Sequence, residues 1–212
     1  MTTTEHLLYG FDPLCGWCFA FRPTMAAIVA QYPTVPIVLA YGGLVVGERV
    51  RPIRHDRDYL IAGLAEVQRV SGVAAGTAYY DGLLQAGTYI SNSEPPCRAI
   101  TVVRQLAPER VYAFADSLPH ALYVRGLALD DADVLAELVA AQGIDVEPFL
   151  KRWDSDAARS ATRQQFALAR AQGFSTYPTL VYERDGQLYP IAKGYLAPDA
   201  AVAQIAQVRA GA

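Results

Sequence analysis

Two cysteines one helical turn apart, in Cys15-Gly16-Trp17-Cys18, follow directly on the apolar run His6 to Phe11, and no other stretch limits the architecture of this chain as much. A short apolar run reads as a buried strand, and Cys-x-x-Cys opening a helix at its end is the arrangement of a redox dithiol. At a helix start, unpaired backbone N–H groups and the positive end of the dipole stabilise a thiolate, which makes Cys15 the nucleophile. Cys18, a turn deeper, is the resolving thiol that attacks a mixed disulfide and releases the partner molecule. The same spacing is also half of a zinc site, which needs two further ligands. What remains is Cys97 and the scattered His6, His55 and His120, with no second Cys-x-x-Cys and no closely spaced histidine pair, so no metal is assigned. No cofactor is assigned either.

The flanking pattern builds a frame around this motif. Helix-compatible sequence runs from Cys15 to about Gln31 with Pro23 as a kink, and Pro36 to Tyr41 reads as a second buried strand that stops at Gly42-Gly43. Strand, helix, strand is a βαβ unit with parallel strands. From Asp56 to Gly173 the period becomes helical, with stripes at Leu60, Leu64 and Val67 behind an Asp56 cap, at Ile100, Val103 and Ala107, at Val111, Ala115, Leu118 and Leu122, and at Val134, Leu135, Leu138 and Val139. A last helix of the block is expected from near Asp156 to Gln172. Two strands, Thr179 to Tyr182 and Leu188 to Ile191, then flank Asp185-Gly186, the turn chemistry of a tight hairpin, and a terminal helix follows Pro198-Asp199. The expected fold is α/β: one mixed sheet of βαβ and ββα halves (1–50 and 174–212) interrupted by an all-helical insertion (51–173).

Composition removes several classes of function. The chain is 212 residues long and 52% hydrophobic, enough for a folded core. A net charge of -3 without a lysine- or arginine-rich block argues against nucleic acid as a partner. Met1 to His6 lacks the basic and apolar regions of a leader, and the longest apolar stretch, Pro36 to Gly47, is too short to span a bilayer. A cytoplasmic protein without membrane attachment is the expectation, and in that reducing compartment a disulfide is transient and catalytic.

The order of elements, with Cys-Gly-Trp-Cys at the first helix and Thr176-Tyr177-Pro178-Thr179 before the hairpin, resembles the thioredoxin fold, and more narrowly the DsbA-like family with its helical insertion. Asp12-Pro13-Leu14-Cys15-Gly16-Trp17-Cys18 resembles the cytoplasmic, FrnE-type and disulfide-isomerase branch of that family. The resemblance covers nearly the whole chain. It implies thiol–disulfide exchange with disulfide-containing proteins or peptides, a low-molecular-weight thiol or a reductase as electron partner, and a cis-proline opposite the dithiol at Pro178. That proline would turn the backbone of Tyr177 toward an extended substrate segment; read from spacing alone, Pro178 equally begins an edge strand. Trp17 stands where oxidising members often carry histidine, so a cation beside the Cys15 thiolate is missing and a milder oxidant is expected. Tyr177 is bulkier than the residue usual before that proline.

Other residues carry paired readings. Asp12 either tunes the proton of Cys18 from beneath or forms the turn before Pro13. Cys97, in a predicted first helical turn, is either a reactive thiol or, more ordinarily, a small buried hydrophobe. Leu14, Trp17, Phe19, Phe21 and Tyr177 are candidates for an apolar substrate groove, with Phe19 and Phe21 core residues in the alternative. Tyr79, Tyr80, Tyr89 and Tyr123 either face that groove or fill helix seams. Arg51, Arg54, His55 and Arg57 form a basic cluster that is either a solvated face or a greeting for an anionic thiol. The rival activities are a glutathione- or mycothiol-dependent transferase, isomerase or reductase of the same superfamily, and a non-catalytic zinc-binding or holdase protein. Relatives of the pure transferase type carry serine at the first cysteine, so the intact dithiol argues against that form.

Overall fold

The strand and helix that carry the dithiol lie at the centre of a computed structural model of the protein, which describes residues 4–211. Residues Met1 to Thr3 of the leader reading lie outside the described residues. Strand β1 (Glu5–Phe11) leads into helix α1 (Gly16–Gln31), and β2 (Ile37–Tyr41) returns parallel to β1 with Leu7 opposite Ile37. At the other end of the chain, β5 (Thr179–Arg184) pairs antiparallel with β1, β6 (Gln187–Lys193) pairs antiparallel with β5, and the sheet order is β2-β1-β5-β6. Asp185 and Gly186 both adopt positive φ, 51° and 81°, the backbone that a two-residue hairpin with the twist of its strands requires. The chain closes on α8 (Pro198–Gly211), which packs against α1.

Between the two halves lie β3 (Arg51–Pro52), α2 (Arg57–Ser71), a π-helical segment Ala78–Leu84, β4 (Ile90–Ser91), α3 (Glu94–Leu106), α4 (Val111–Tyr123), α5 (Ala132–Ala140), α6 (Val146–Trp153) and α7 (Asp156–Ala171). Caps explain several starts: Asp131, Asp145 and Ser155 each accept a backbone N–H of the turn that follows. Gly72, at φ 75°, ends α2 as a left-handed cap.

Three expectations need correction. The insertion is not all-helical, because β3 and β4 form a two-residue antiparallel ladder, too short to show a period of two in the sequence. Asp56 does stand at the N-cap position of α2, but its side chain makes no capping bond; its carboxylate is taken by Arg51 instead. The helical stripes also missed α6 and the π-helical segment, whose apolar positions are too few to establish a period.

Burial follows the pleat of β1. Leu7, Tyr9 and Phe11 are all within 3% of full burial and share one contiguous core with residues of α1, α8 and the insertion, whereas Leu8, on the opposite face, packs against a small cluster of Ala40, Ala169 and Phe174. Gly10 belongs to that second face: a Cβ there would stand 2.5 Å from the Phe174 ring, so glycine is what lets the residue after α7 close over the sheet. Arg104 of α3 donates to the Leu39 carbonyl at 2.9 Å, tying β2 to the insertion. We propose the division into 1–50 with 174–212 and 51–173 on connectivity alone, since the buried core is continuous across it.

Candidate dithiol site

The turn that presents Cys15 is dictated by Asp12 and Pro13. The Asp12 carbonyl accepts the Cys15 N–H at 3.1 Å and its carboxylate accepts the Leu14 N–H at 2.9 Å, so the chain leaves β1, folds back and enters α1 within four residues. Cys15 is the N-cap of α1 (φ -85°, ψ 114°), and its sulfur accepts the Cys18 backbone N–H at 3.4 Å. A sulfur thus takes the place that a serine or aspartate oxygen usually holds at a helix start. Both cysteines are free thiols. Cys15 also approaches the Tyr177 carbonyl at 3.4 Å, with its S–H as donor, and the Tyr177-Pro178 peptide bond is cis. The insertion holds the same turn from above: the Tyr123 hydroxyl donates to the Leu14 carbonyl at 2.6 Å.

The two thiols stand in different surroundings. Cys15 is 6% exposed and opens onto a cleft of about 420 Å³ between the dithiol, the loop after β2 and the first turns of the insertion. Cys18 is fully buried; burial first, and then the neighbouring Cys15, push its thiol well above the ordinary range. Asp12 is fully buried as well. Burial raises its carboxyl to about 6, against the pull of hydrogen bonds from Leu44 N–H at 2.7 Å, Leu14 N–H and the Ser93 hydroxyl at 2.9 Å.

The predicted residues distribute as follows. Leu14, Cys15, Gly16, Trp17 and Tyr177 line the cleft, and Trp17 leans on Tyr195 with ring centroids 6.2 Å apart. Phe19 and Phe21 do not line it: at 2% and 0% exposure they are core, Phe19 against Tyr123 and Phe21 against Tyr9, because α1 is covered by α2, α4 and α8. Thr176 is exposed, and its carbonyl accepts the Thr179 hydroxyl at 2.8 Å; its contribution is to the turn into β5. The Pro178 carbonyl accepts the Gly194 N–H at 2.8 Å, fixing that turn to the end of β6. Tyr79, Tyr89 and Tyr123 reach the cleft and Tyr80 does not. Cys97 is fully buried and burial pushes its thiol well up, so the helix-start placement does not activate it. Of the basic cluster, only Arg51 lines the cleft, and it is paired with Asp56.

Sequence reasoning missed three contributors. Gly42 was legible only as a strand stop, yet a Cβ there would fall 1.5 Å from the Tyr177 hydroxyl, which donates to the Phe174 carbonyl at 3.1 Å. Ser93 sits where a helix cap is expected, but its hydroxyl donates to Asp12 and accepts the Val45 N–H at 3.0 Å. Arg49, in the loop after β2, lines the cleft and was outside the cluster singled out. Among the described residues, no group of three or more His, Cys, Asp or Glu side chains is gathered to hold a metal ion, and no helix is long and apolar enough to cross a membrane.

Known proteins give this geometry a setting. The sequence profile of the DSBA-like thioredoxin domain matches residues 9–205. The cytosolic disulfide reductase DsbM from Pseudomonas aeruginosa is 28% identical and superposes with a TM-score of 0.83, covering 98% of this chain and 100% of that one. The same protein with GSH is 27% identical with a TM-score of 0.77, over 96% and 99% of the two chains. A candidate protein disulfide isomerase from Nitrosomonas europaea shares the fold, with a TM-score of 0.81 at 24% identity over 98% of each chain. Among curated proteins, the ClpXP adapter protein SpxH of Shouchella clausii is 24% identical over 186 residues, 84% of this chain, which spans 58% of that relative's length.

Proposed function

The chain belongs to the DSBA-like thioredoxin domain family, and on that premise we propose that it is a thiol–disulfide oxidoreductase working in the reducing direction, with Cys15 as nucleophile, Cys18 as resolving thiol and glutathione as electron donor. The observation that carries the proposal is the contrast of the two thiols: a Cys15 sulfur that accepts a helix-start N–H and opens onto a cleft, beside a Cys18 that solvent does not reach. Likeness to DsbM supports the direction, and its occurrence with GSH supports the donor. A cytoplasmic location belongs to the same proposal.

In the first step the Cys15 thiolate attacks one sulfur of a substrate disulfide; the second sulfur leaves as a thiolate and takes a proton, and Cys15 is held in a mixed disulfide. The substrate segment lies along the backbone at Tyr177, whose carbonyl already faces the Cys15 sulfur. Cys18 then gives up its proton and attacks the Cys15 sulfur, which releases the second substrate thiol and leaves a Cys15–Cys18 disulfide. Asp12 takes that proton in our reading, as the buried carboxyl whose affinity for a proton is raised to about 6. Two glutathione thiols restore the dithiol and leave as glutathione disulfide, so the electron count closes. When the attack by Cys18 is slower than a second substrate thiol, the mixed disulfide reshuffles and the same site isomerises.

The test is insulin reduction in a glutathione buffer, together with mass analysis of Cys18→Ala. We expect the wild type to accelerate reduction, and Cys18→Ala to accumulate a mixed disulfide at Cys15 while turning over poorly. Trapping of the mixed disulfide at Cys97, or full turnover without Cys18, would overturn the assignment.

A further inference from the structure

The cleft in front of Cys15 is lined mostly by apolar and aromatic side chains, and its charged groups are Arg49, Arg51 and Asp56. Two of these cancel. Arg51 donates through Nε and Nη2 to the Asp56 carboxylate, and that hydrogen-bonded pair pulls the Asp56 carboxyl down. Arg49 is different: one of its guanidinium nitrogens donates to the Leu44 carbonyl at 2.9 Å, and among the described residues no carboxylate lies within ion-pair distance of it. The cleft therefore carries one uncompensated positive charge, on a planar group with four donors to spare.

The position of that charge is tied to the dithiol. Leu44, which Arg49 holds by its carbonyl, donates its own N–H to Asp12 at 2.7 Å, and Asp12 in turn accepts the Leu14 N–H next to Cys15. Tyr79, only 1% exposed, lines the same cleft, and its hydroxyl makes no hydrogen bond to the protein among the described residues. A ligand with a carboxylate, further polar groups and a thiol matches this set: a positive fork at one side, a free phenol within, and a sulfur nucleophile at the end.

We propose that Arg49 is the specificity-determining residue of the dithiol site, selecting thiol cosubstrates that carry a carboxylate by pairing with it while their sulfur meets Cys15. This rests on the oxidoreductase reading above and adds to it the class of thiol and the residue that chooses it. The step it governs is the return of electrons: one acidic thiol opens the Cys15–Cys18 disulfide to a mixed disulfide on Cys15, a second displaces it, and two thiols become one disulfide as the dithiol is restored.

The experiment follows reduction of the oxidised protein by four thiols: glutathione, its glycine ethyl ester, 2-mercaptoethanol and the cationic thiol cysteamine. Arg49→Gln should lower the second-order rate constant with glutathione about fivefold, the upper size expected for losing a pair made by an exposed arginine. It should leave 2-mercaptoethanol within about twofold, since that thiol offers Arg49 nothing to pair with. Arg49→Glu should go further and raise the rate with cysteamine above wild type. Arg57→Gln, an exposed change outside the cleft, should behave as wild type with all four. Equal slowing of all four thiols in Arg49→Gln would make Arg49 a structural residue, and unchanged glutathione rates would remove it from selection; either result overturns the proposal. Failure of the wild-type disulfide to react with any thiol would instead defeat the oxidoreductase reading, and it is visible before any variant is made.

Discussion

On one side of the first turn of α1, Cys15 faces a cleft of about 420 Å³ and borrows a backbone N–H; on the other, Cys18, Asp12 and Cys97 are sealed at 0% exposure. The two sides hold the same kinds of group, and burial divides their roles. Within the cleft a sulfur is reachable and a backbone N–H of the helix start is aimed at it. Beneath it, every titratable group is pushed by desolvation toward its neutral form: Cys18 and Cys97 well up, Asp12 to about 6. In the proposed exchange, a neutral, sealed Cys18 would not compete with Cys15 for incoming disulfides and would act only once Cys15 is engaged one turn away.

The largest effect expected from this division is on activity. Cys15→Ser should lower insulin reduction by more than about a hundredfold, as loss of a covalent nucleophile does, whereas Cys97→Ala should keep most of it. Alkylation of the folded, reduced protein with iodoacetamide should label Cys15 many times faster than either buried thiol; equal labelling of all three would erase the distinction between the two sides.

Next in size is the pH dependence of stability from Asp12. A carboxyl whose folded value is raised from 3.8 to about 6 binds its proton more tightly in the folded state. Its contribution is therefore fully present below the unfolded value and is lost as pH rises through the folded one. Relative to Asp12→Asn, the wild type should lose about 2 kcal/mol between pH 4 and pH 7 and change little above; each tenfold gain in proton affinity on folding is worth about 1.4 kcal/mol, and the unfolded carboxyl is already more than half ionised at pH 4. Parallel urea midpoints across that range would show that Asp12 is not held in the dry environment described.

Smaller effects sharpen the boundary between the sides. Gly42→Ala places a methyl group where the Tyr177 hydroxyl and ring carbon lie, 1.5 and 2.5 Å away, so the ring must leave its seat. We expect a loss of about 1–3 kcal/mol in denaturant unfolding, the usual range for overpacking, with a several-fold fall in activity from the displaced backbone beside Cys15. Gly63→Ala is the counterweight. Gly63 lies inside α2, and a Cβ there meets nothing within 4 Å, so the change should stabilise the protein by about 0.5–1 kcal/mol through helix propensity.

Much of this was legible in the sequence where chemistry and punctuation are local. The Cys15–Cys18 spacing, the Asp185-Gly186 hairpin and the apolar runs of β1 and β2 announce themselves within ten residues, and each formed as read. Asp12 could be suspected because it precedes the motif by one turn. What stayed hidden depends on partners distant in the chain. Arg51 and Arg49 look alike as charges along the chain, and only the fold shows that Asp56 neutralises the first and leaves the second free. Gly42 reads as a stop signal until the Tyr177 ring arrives from the other end of the molecule. Phe19 and Phe21 sit two apart on a helix that in isolation has one wet face; with α2, α4 and α8 packed around it, both are enclosed. Cys97 shows that a helix start alone does not activate a thiol once the surroundings are dry.

The bond from the Tyr123 hydroxyl to the Leu14 carbonyl has a consequence for engineering. The aim of the reactive sulfur is set partly by a phenol that the inserted block supplies, so a minimal version trimmed to the sheet and its two helices would keep both cysteines and lose one of the struts that point the first of them. Grafting Cys-Gly-Trp-Cys onto a smaller scaffold transfers the letters of the motif without its sighting mechanism.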